Sequence, residues 1–239
     1  DPAPNFFRFH PDGAQWGYGL GSYVVNEKDW KRIATIAADY SFGYTNFMGF
    51  AVDFCKAGGE IVERFWLPLG SGDFASIIAA LPYDVDAIYL GVGGTDAINF
   101  LNQYEQAGGD TNIIGGTIMV DQTVLTARGR AKDALIGTPS SGVQADDWDD
   151  PAWQEYVKAY QEAFPDGLPS PSLFATNYYG ATLATLMALE KIGGELDDDQ
   201  KNFHEALSAM EFDAPNGHIK LDENRQAIGS VFITEVVQD

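Results

Sequence analysis

The sequence predicts an α/β fold: a doubly wound parallel sheet lobe followed by a helical part with hardly any strand. Three observations carry this. Between positions 32 and 127, apolar runs of strand length alternate with stretches whose apolar residues recur at helical spacing. Ala87-Ile88-Tyr89-Leu90 is apolar without alternation, as a strand covered on both faces should be. After Ala134 the alternation stops, and helical patterns follow with hardly any strand between them.

Taken in order, Phe6-Phe7-Arg8-Phe9 reads as the tail of a strand. Residues 12–25 read as a loose helix weakened by Gly13, Gly17, Gly19 and Gly21. Residues 32–38 form the first strand, and Tyr40-Ser41-Phe42-Gly43 a turn that presents two aromatic rings. A helix over 44–57 follows, with Phe47, Ala51 and Phe54 on one stripe and Gly58-Gly59 as its stop. The strand at 61–67 leads through Gly70-Ser71-Gly72 to Asp73, an N-cap for the stripe Phe74, Ile77, Ile78, Leu81 that Pro82 ends. A strand over 86–92 precedes a helix over 95–107, stopped by Gly108-Gly109. A strand over 112–119 and a short helix over 121–127 close the series, which implies right-handed βαβ crossovers.

Residues 135–139 read as one more short strand, and 140–150 as a polar, acidic passage between lobes. Asp149-Asp150-Pro151 starts a strong helix with the stripe Trp153, Tyr156, Val157, Tyr160 and Phe164. A long apolar helix spans 174–192, a third spans 199–210, and strands at 218–221 and 231–237 are joined by a polar turn at 222–226. The apolar faces of these late helices call for more cover than the chain supplies.

Composition narrows the function. With 239 residues, 45% apolar and 13% aromatic, the chain buries a real core. Its 35 acidic against 14 basic side chains, a formal charge of −21, repel phosphate backbones and anionic headgroups, which argues against nucleic acid or a membrane surface as partner. No apolar run reaches the roughly 18 residues that insertion into a bilayer requires. The single Cys55, within the apolar run of the first βαβ helix, reads as a buried inert thiol. The chain opens at Asp1-Pro2 without a charged, apolar leader, so an export signal is expected to have been removed or to lie outside it.

Few residues suggest chemistry. His10, His204 and His218 are scattered, with no His or Cys pairing at zinc spacing, so no metal is expected and the histidines read as surface or capping residues. Gly91-Val92-Gly93-Gly94-Thr95 follows a strand and opens a helix but lacks the third glycine of a dinucleotide fingerprint, and no Walker lysine occurs; no cofactor is expected. The N–H groups at that helix start can still receive a carboxylate. No nucleophile elbow or acid–base pair stands out from the acidic background, so the chain reads as a binding protein and not an enzyme. Tyr40, Phe42, Tyr178 and Tyr179 supply rings suited to the wall of a small-molecule cleft, with core packing the rival role for at least one of the last two.

In their order along the chain, Asn5-Phe6-Phe7-Arg8-Phe9, the 33–39 strand with Phe42-Gly43, Asp73-Phe74, Asp86-Ala87-Ile88-Tyr89, residues 151–160, Tyr178-Tyr179 and Ala188-Leu189-Glu190 resemble the type I periplasmic binding proteins. The branch is that of the leucine/isoleucine/valine-binding proteins of ABC importers. The resemblance implies two α/β lobes joined by three crossovers and closing by a hinge on a ligand in an inter-lobe cleft. It places lobe 2 at 1–141, the late part of lobe 1 at 142–220 and a return strand or crossover at 221–239. The crossovers are expected near 8–12, 142–146 and 220–226, with the N-terminal βαβ units of lobe 1 absent from the chain. The chain alone is therefore expected to bind ligand weakly.

The resemblance also adds site residues. Phe42 matches the aromatic before glycine in the family turn, and Gly93, Gly94 and Thr95 match the loop after the third strand of the lobe. Thr117 to Asp121, including Met119, match the loop where amino-acid binders place an acid for the ligand ammonium. Ile118 and Met119 stand where that acid is expected and Asp121 comes later, which opens the ligand to aromatic or other organic acids. The implied function is a periplasmic solute-binding component that delivers an amino acid or organic acid to an ABC permease. The alternative is a ligand-sensing receptor or regulator domain on the same fold.

Overall fold

The computed structural model describes residues 3–127, 129, 131–196 and 199–238, so the Asp1-Pro2 opening lies outside the described residues. The chain packs as two compact units, one of residues up to Asp12 with Val143–Val231, the other of Gly13–Gly142 with the residues from Phe232 on. They are called here the helical unit and the sheet unit.

The sheet unit begins with helices α1 (Gly13–Gly17) and α2 (Leu20–Asn26). The expected single helix is broken at Gly19, whose φ of 91° is left-handed. Then come β1 (Arg32–Ala38), α3 (Ser41–Lys56), β2 (Glu60–Leu67), α4 (Ala75–Ala80), β3 (Ala87–Gly91), α5 (Gly94–Gln106) and β4 (Asn112–Gly115). A 3-10 turn at Thr117–Val120, α6 (Gln122–Leu125), a second 3-10 turn at Ala131–Leu135 and β5 (Pro139–Gly142) follow. The helical unit holds α7 (Pro151–Ala163), α8 (Leu173–Lys191), α9 (Lys201–Ser208), β6 (Glu211–Ala214), β7 (Gly217–Leu221) and β8 (Ala227–Ile228). Strand β9 (Phe232–Glu235) returns to the sheet unit.

The larger sheet runs β2-β1-β3-β4-β5-β9, parallel except for β9, which pairs antiparallel with β5. The continuous apolar run of β3 has a direct explanation. Ile88 and Leu90 pack into a core with Phe74, Phe100 and Leu101 of the α4–α5 side, whereas Ala87 and Tyr89 pack with Leu20, Phe50 and Phe54 of the α2–α3 side. Burying each of these large side chains is worth about 1.5–3 kcal/mol. Glycine sets the closeness of the second layer: a Cβ at Gly17 of α1 would stand 2.5 Å from the Asn46 carbonyl oxygen of α3, and one at Gly49 of α3 would stand 1.9 Å from the Ala14 carbonyl oxygen of α1. The glycine-rich stretch that weakens a helix on its own thus lets α1 lie directly against α3.

Several elements differ from expectation. Residues 6–9 are not a strand; Arg8 makes an isolated bridge to Gln226. Helix α3 starts at Ser41, so Phe42-Gly43 lies in its first turn and not in a loop before it. Strand β4 stops at Gly115, because Gly116 sits against the backbone of Leu90 and Gly91 and the Met119 N–H turns back to the Gly116 carbonyl. The strand expected at 135–139 lies at Pro139–Gly142, after a 3-10 turn. Cys55 is exposed, because it projects from the side of α3 away from the Phe47, Phe50 and Phe54 stripe.

The end of the chain is richer in sheet than its sequence suggests. β6, β7 and β8 form an antiparallel sheet, with Phe212↔Ile219 and Leu221↔Ala227 in register. The turn at 222–226 closes β7 on β8, its Asp222 carboxylate accepting from the Asn224 and Gln226 N–H groups. The passage expected near 220–226 accordingly falls between Val231 and Phe232, and the strand after it pairs with β5 rather than with β7. The core of the helical unit joins Phe9, Ala184, Ala188, Leu207, Met210, Phe212 and Ile219. Phe174, Leu186 and Met187 of α8 remain exposed. Among the described residues, no helix is long and apolar enough to cross a membrane, and no cluster of His, Cys, Asp and Glu could hold a metal ion.

Candidate functional site

The strand order places a topological switch at β1 and β3: the chain leaves β1 outward to β2, then returns to β3 and proceeds the other way. In open α/β sheets the crevice beyond the carboxyl ends of such strands receives ligands. β1 and β3 pair with Ala37 opposite Gly91, so the segments that follow them are neighbours. Tyr40 and Phe42 follow β1, and Gly93, Gly94 and Thr95 follow β3.

Both segments start a helix, and neither supplies a cap. Tyr40 is the N-cap of α3 and Gly93 that of α5, and neither side chain bonds the first turn. Asp121, Asp150 and Ser172 cap α6, α7 and α8, whereas the N-cap residues of α2, α4 and α9 also make no side-chain cap. Uncapped N-terminal N–H groups at the positive end of a helix favour an anion. Asp96, in the first turn of α5, is buried and turned aside: its carboxylate accepts the Gly70 N–H at 2.7 Å and ties down the loop after β2.

The rings form one side of this region. Tyr40 and Phe42 are half-buried with ring centroids 6.2 Å apart, and Trp16 and Phe42 form a T-shaped pair with centroids 5.6 Å apart. Gly93 lies against Ile118, 2.9 Å from where its Cβ would be. Gly94 is left-handed at φ 52° with open space around it, and Thr95 is exposed.

The 117–121 turn supports the wall from within. Met119 is fully buried in the core with Leu90 and Phe100. Thr117 is buried too, its hydroxyl held by the Asn46 amide, which donates to it at 3.1 Å and to the Gly13 carbonyl at 3.3 Å. The Tyr89 hydroxyl donates to Asn46 Oδ1 at 2.9 Å, and burial pushes its phenol far above the ordinary value, so it stays protonated as a donor. Asp121 is buried and accepts from the Thr123 N–H and hydroxyl at 3.3 and 2.9 Å, the work of a helix cap.

Tyr178 and Tyr179 lie on α8 in the helical unit. Neither is core: they are 75% and 44% exposed, and Tyr179 rests its ring 4.8 Å from that of Tyr156. Asn46, Tyr89, Trp16 and Ser141, whose hydroxyl donates to the Trp16 carbonyl at 2.6 Å, escape a reading by motif. A lone Asn among the apolar residues of the α3 stripe was the signal available for the first of them.

The profile of the family described as periplasmic binding protein matches residues 1–239. Leu/Ile/Val-binding protein homolog 6 of Brucella melitensis is 25% identical over 226 residues, covering 90% of this chain and 55% of its own length. The ABC transporter substrate-binding protein from Sphaerobacter thermophilus superposes with a TM-score of 0.87 at 28% identity, over 99% of this chain and 64% of its own. The ABC transporter solute-binding protein from Rhodopseudomonas palustris BisB5, in complex with 3,4-dihydroxybenzoic acid, gives 0.87 at 26% identity, over 99% and 64%. The chain thus spans about half the length of the curated relative and less than two thirds of these structures.

Proposed function

Because this chain belongs to the periplasmic binding protein family, we propose that it is part of the extracytoplasmic solute-binding component of an ABC importer. Its ligand is a small organic acid, with aromatic acids ahead of amino acids, and its protein partner is the membrane permease. The observation that carries this reading is the pair of uncapped helix N-termini at the β1/β3 switch, α3 and α5, beside the rings of Tyr40 and Phe42. N–H groups suit a carboxylate and rings suit an aromatic body. The position where an amino-acid binder would place an acid for the ammonium is occupied by Ile118 and the buried Met119, and the nearby Asp121 carboxylate caps α6. The complex of the R. palustris relative with 3,4-dihydroxybenzoic acid supports the same class of ligand.

Thermal unfolding of the full-length gene product with benzoate, 3,4-dihydroxybenzoate or leucine tests it. A ligand at one hundred times its Kd stabilises the native state by about 2.7 kcal/mol, which raises Tm by roughly 5–10 °C in a chain of 150–250 residues and by a few degrees in a longer one. The aromatic acids are expected to give that rise, and Phe42→Ala to weaken their binding about tenfold, the worth of one ring contact. A rise with leucine alone would overturn the preference for aromatic acids, and no rise with any of the three would overturn the organic-acid reading.

A further inference from the structure

In the helical unit, α8 and the β6-β7-β8 sheet leave a recess lined on its apolar side by Phe9 and Ile219 and on its polar side by Asn177, Asn216 and Ser230. Asn177 is 9% exposed, yet its side-chain amide has no hydrogen-bond partner among the described residues. Its neighbour Thr176, deeper at 2% exposed, is satisfied: the hydroxyl donates to Gln144 Oε1 at 2.7 Å. Asn216 spends its NH2 group on the Val143 carbonyl at 3.1 Å, which leaves its own Oδ1 as an acceptor. Buried amides in folded proteins are bonded to protein or to ordered solvent in nearly every case, since an unpaired one is costly.

Among the described residues that line the recess there is no Asp, Glu, Lys or Arg, so nothing there selects an ion. His10 is the titratable member, and its Nδ1 lies 2.8 Å from the Pro11 carbonyl oxygen. The space admits about one water molecule. A hydroxyl both donates and accepts, which is what an amide beside a carbonyl oxygen needs.

We infer that this recess is a binding site for one neutral hydroxyl group, from an ordered water or from a small solute, held between the Asn177 amide and the polar atoms of Asn216 or Ser230. The location gives it a consequence. Lining segments adjoin two of the places where the chain passes from one unit to the other, His10-Pro11 before Asp12 and Ser230 before Val231, and Asn216 is bonded to Val143 at the third. An occupant therefore ties together the helical unit's ends of all these passages.

Crystals of the protein grown without polyols, ordered well enough to show solvent, test the inference. Density is expected about 2.7–3.2 Å from the Asn177 amide and from a second polar atom of the recess. Native mass spectrometry of the same sample separates the sources: an unchanged mass assigns water, an added mass a solute. Asn177→Leu is expected to lose the density and lower Tm by about 2–4 °C. An unbonded amide would do the reverse, because leucine would then remove a buried unpaired group and raise Tm. Absent density at Asn177 in the unmodified protein, or a raised Tm in the variant, overturns the inference.

Discussion

The side chain of Asn46 in the middle of α3 donates to the hydroxyl of Thr117, 71 positions later, at 3.1 Å. It simultaneously accepts from the Tyr89 hydroxyl at 2.9 Å. This one amide joins a helix on one face of the sheet, a central strand and the turn after β4, directly behind the candidate wall.

Replacing Asn46 by leucine is expected to cost about 2–4 kcal/mol, because the Tyr89 and Thr117 hydroxyls are then buried without this partner, at roughly 1–3 kcal/mol each. Urea unfolding measures it. A loss under about 0.5 kcal/mol, the range of an ordinary surface substitution, would show that the network contributes little.

Gly94 isolates a backbone effect at the start of α5. Its φ is 52° and an added Cβ would meet nothing within 4 Å. Gly94→Ala is therefore expected to destabilise by about 1–2 kcal/mol through the left-handed conformation alone, and Gly94→Asn by less, since Asn tolerates that region better. Equal losses for the two substitutions in thermal unfolding would point to packing instead.

His218 introduces a pH dependence in the helical unit. Its Nδ1 lies 2.8 Å from an Asp213 oxygen and its Nε2 2.9 Å from a Glu211 oxygen. Hydrogen bonding to Asp213 first, and then to Glu211, raises its pKa above the ordinary 6.5. A folded-state pKa above the unfolded one means that the stabilisation is fully present below about pH 6.5 and is lost as pH rises through the folded value. An NMR titration of the imidazole is expected to show a midpoint above 6.5 that Asp213→Asn lowers. A midpoint unmoved by that change would remove Asp213 as the cause.

The helices and strands around the candidate site were legible because their signals are local. The unbroken apolar run of β3 announced a strand covered on both faces, and Asp150-Pro151 announced the start of α7 with its cap and first turn. The start of α3 lies three residues before its expected place, since the N-cap position holds Tyr40 and not a Ser, Thr, Asp or Asn to mark it, and that missing cap is the feature on which the anion reading rests. Strand partners were illegible for another reason. The pattern of residues 231–237 says strand, but nothing within it says that Phe232–Glu235 pairs with β5 while β7 takes Ala227 and Ile228.

What the sequence by itself determined is the α/β class, the order of the first βαβ units and the placement of aromatic and glycine residues directly after their strands. These follow from periodicity, capping and turn chemistry, which act over a few residues. Only the tertiary structure decided that Thr117 and Met119 stand behind the wall, that Tyr178 and Tyr179 are exposed, and that the glycines of residues 13–21 serve close packing on α3. The physical reason is that burial and hydrogen-bond partnership belong to pairs of residues, and the pairs that matter here, Asn46 with Thr117 and Ser140 with Gly115, meet only when distant strands lie side by side.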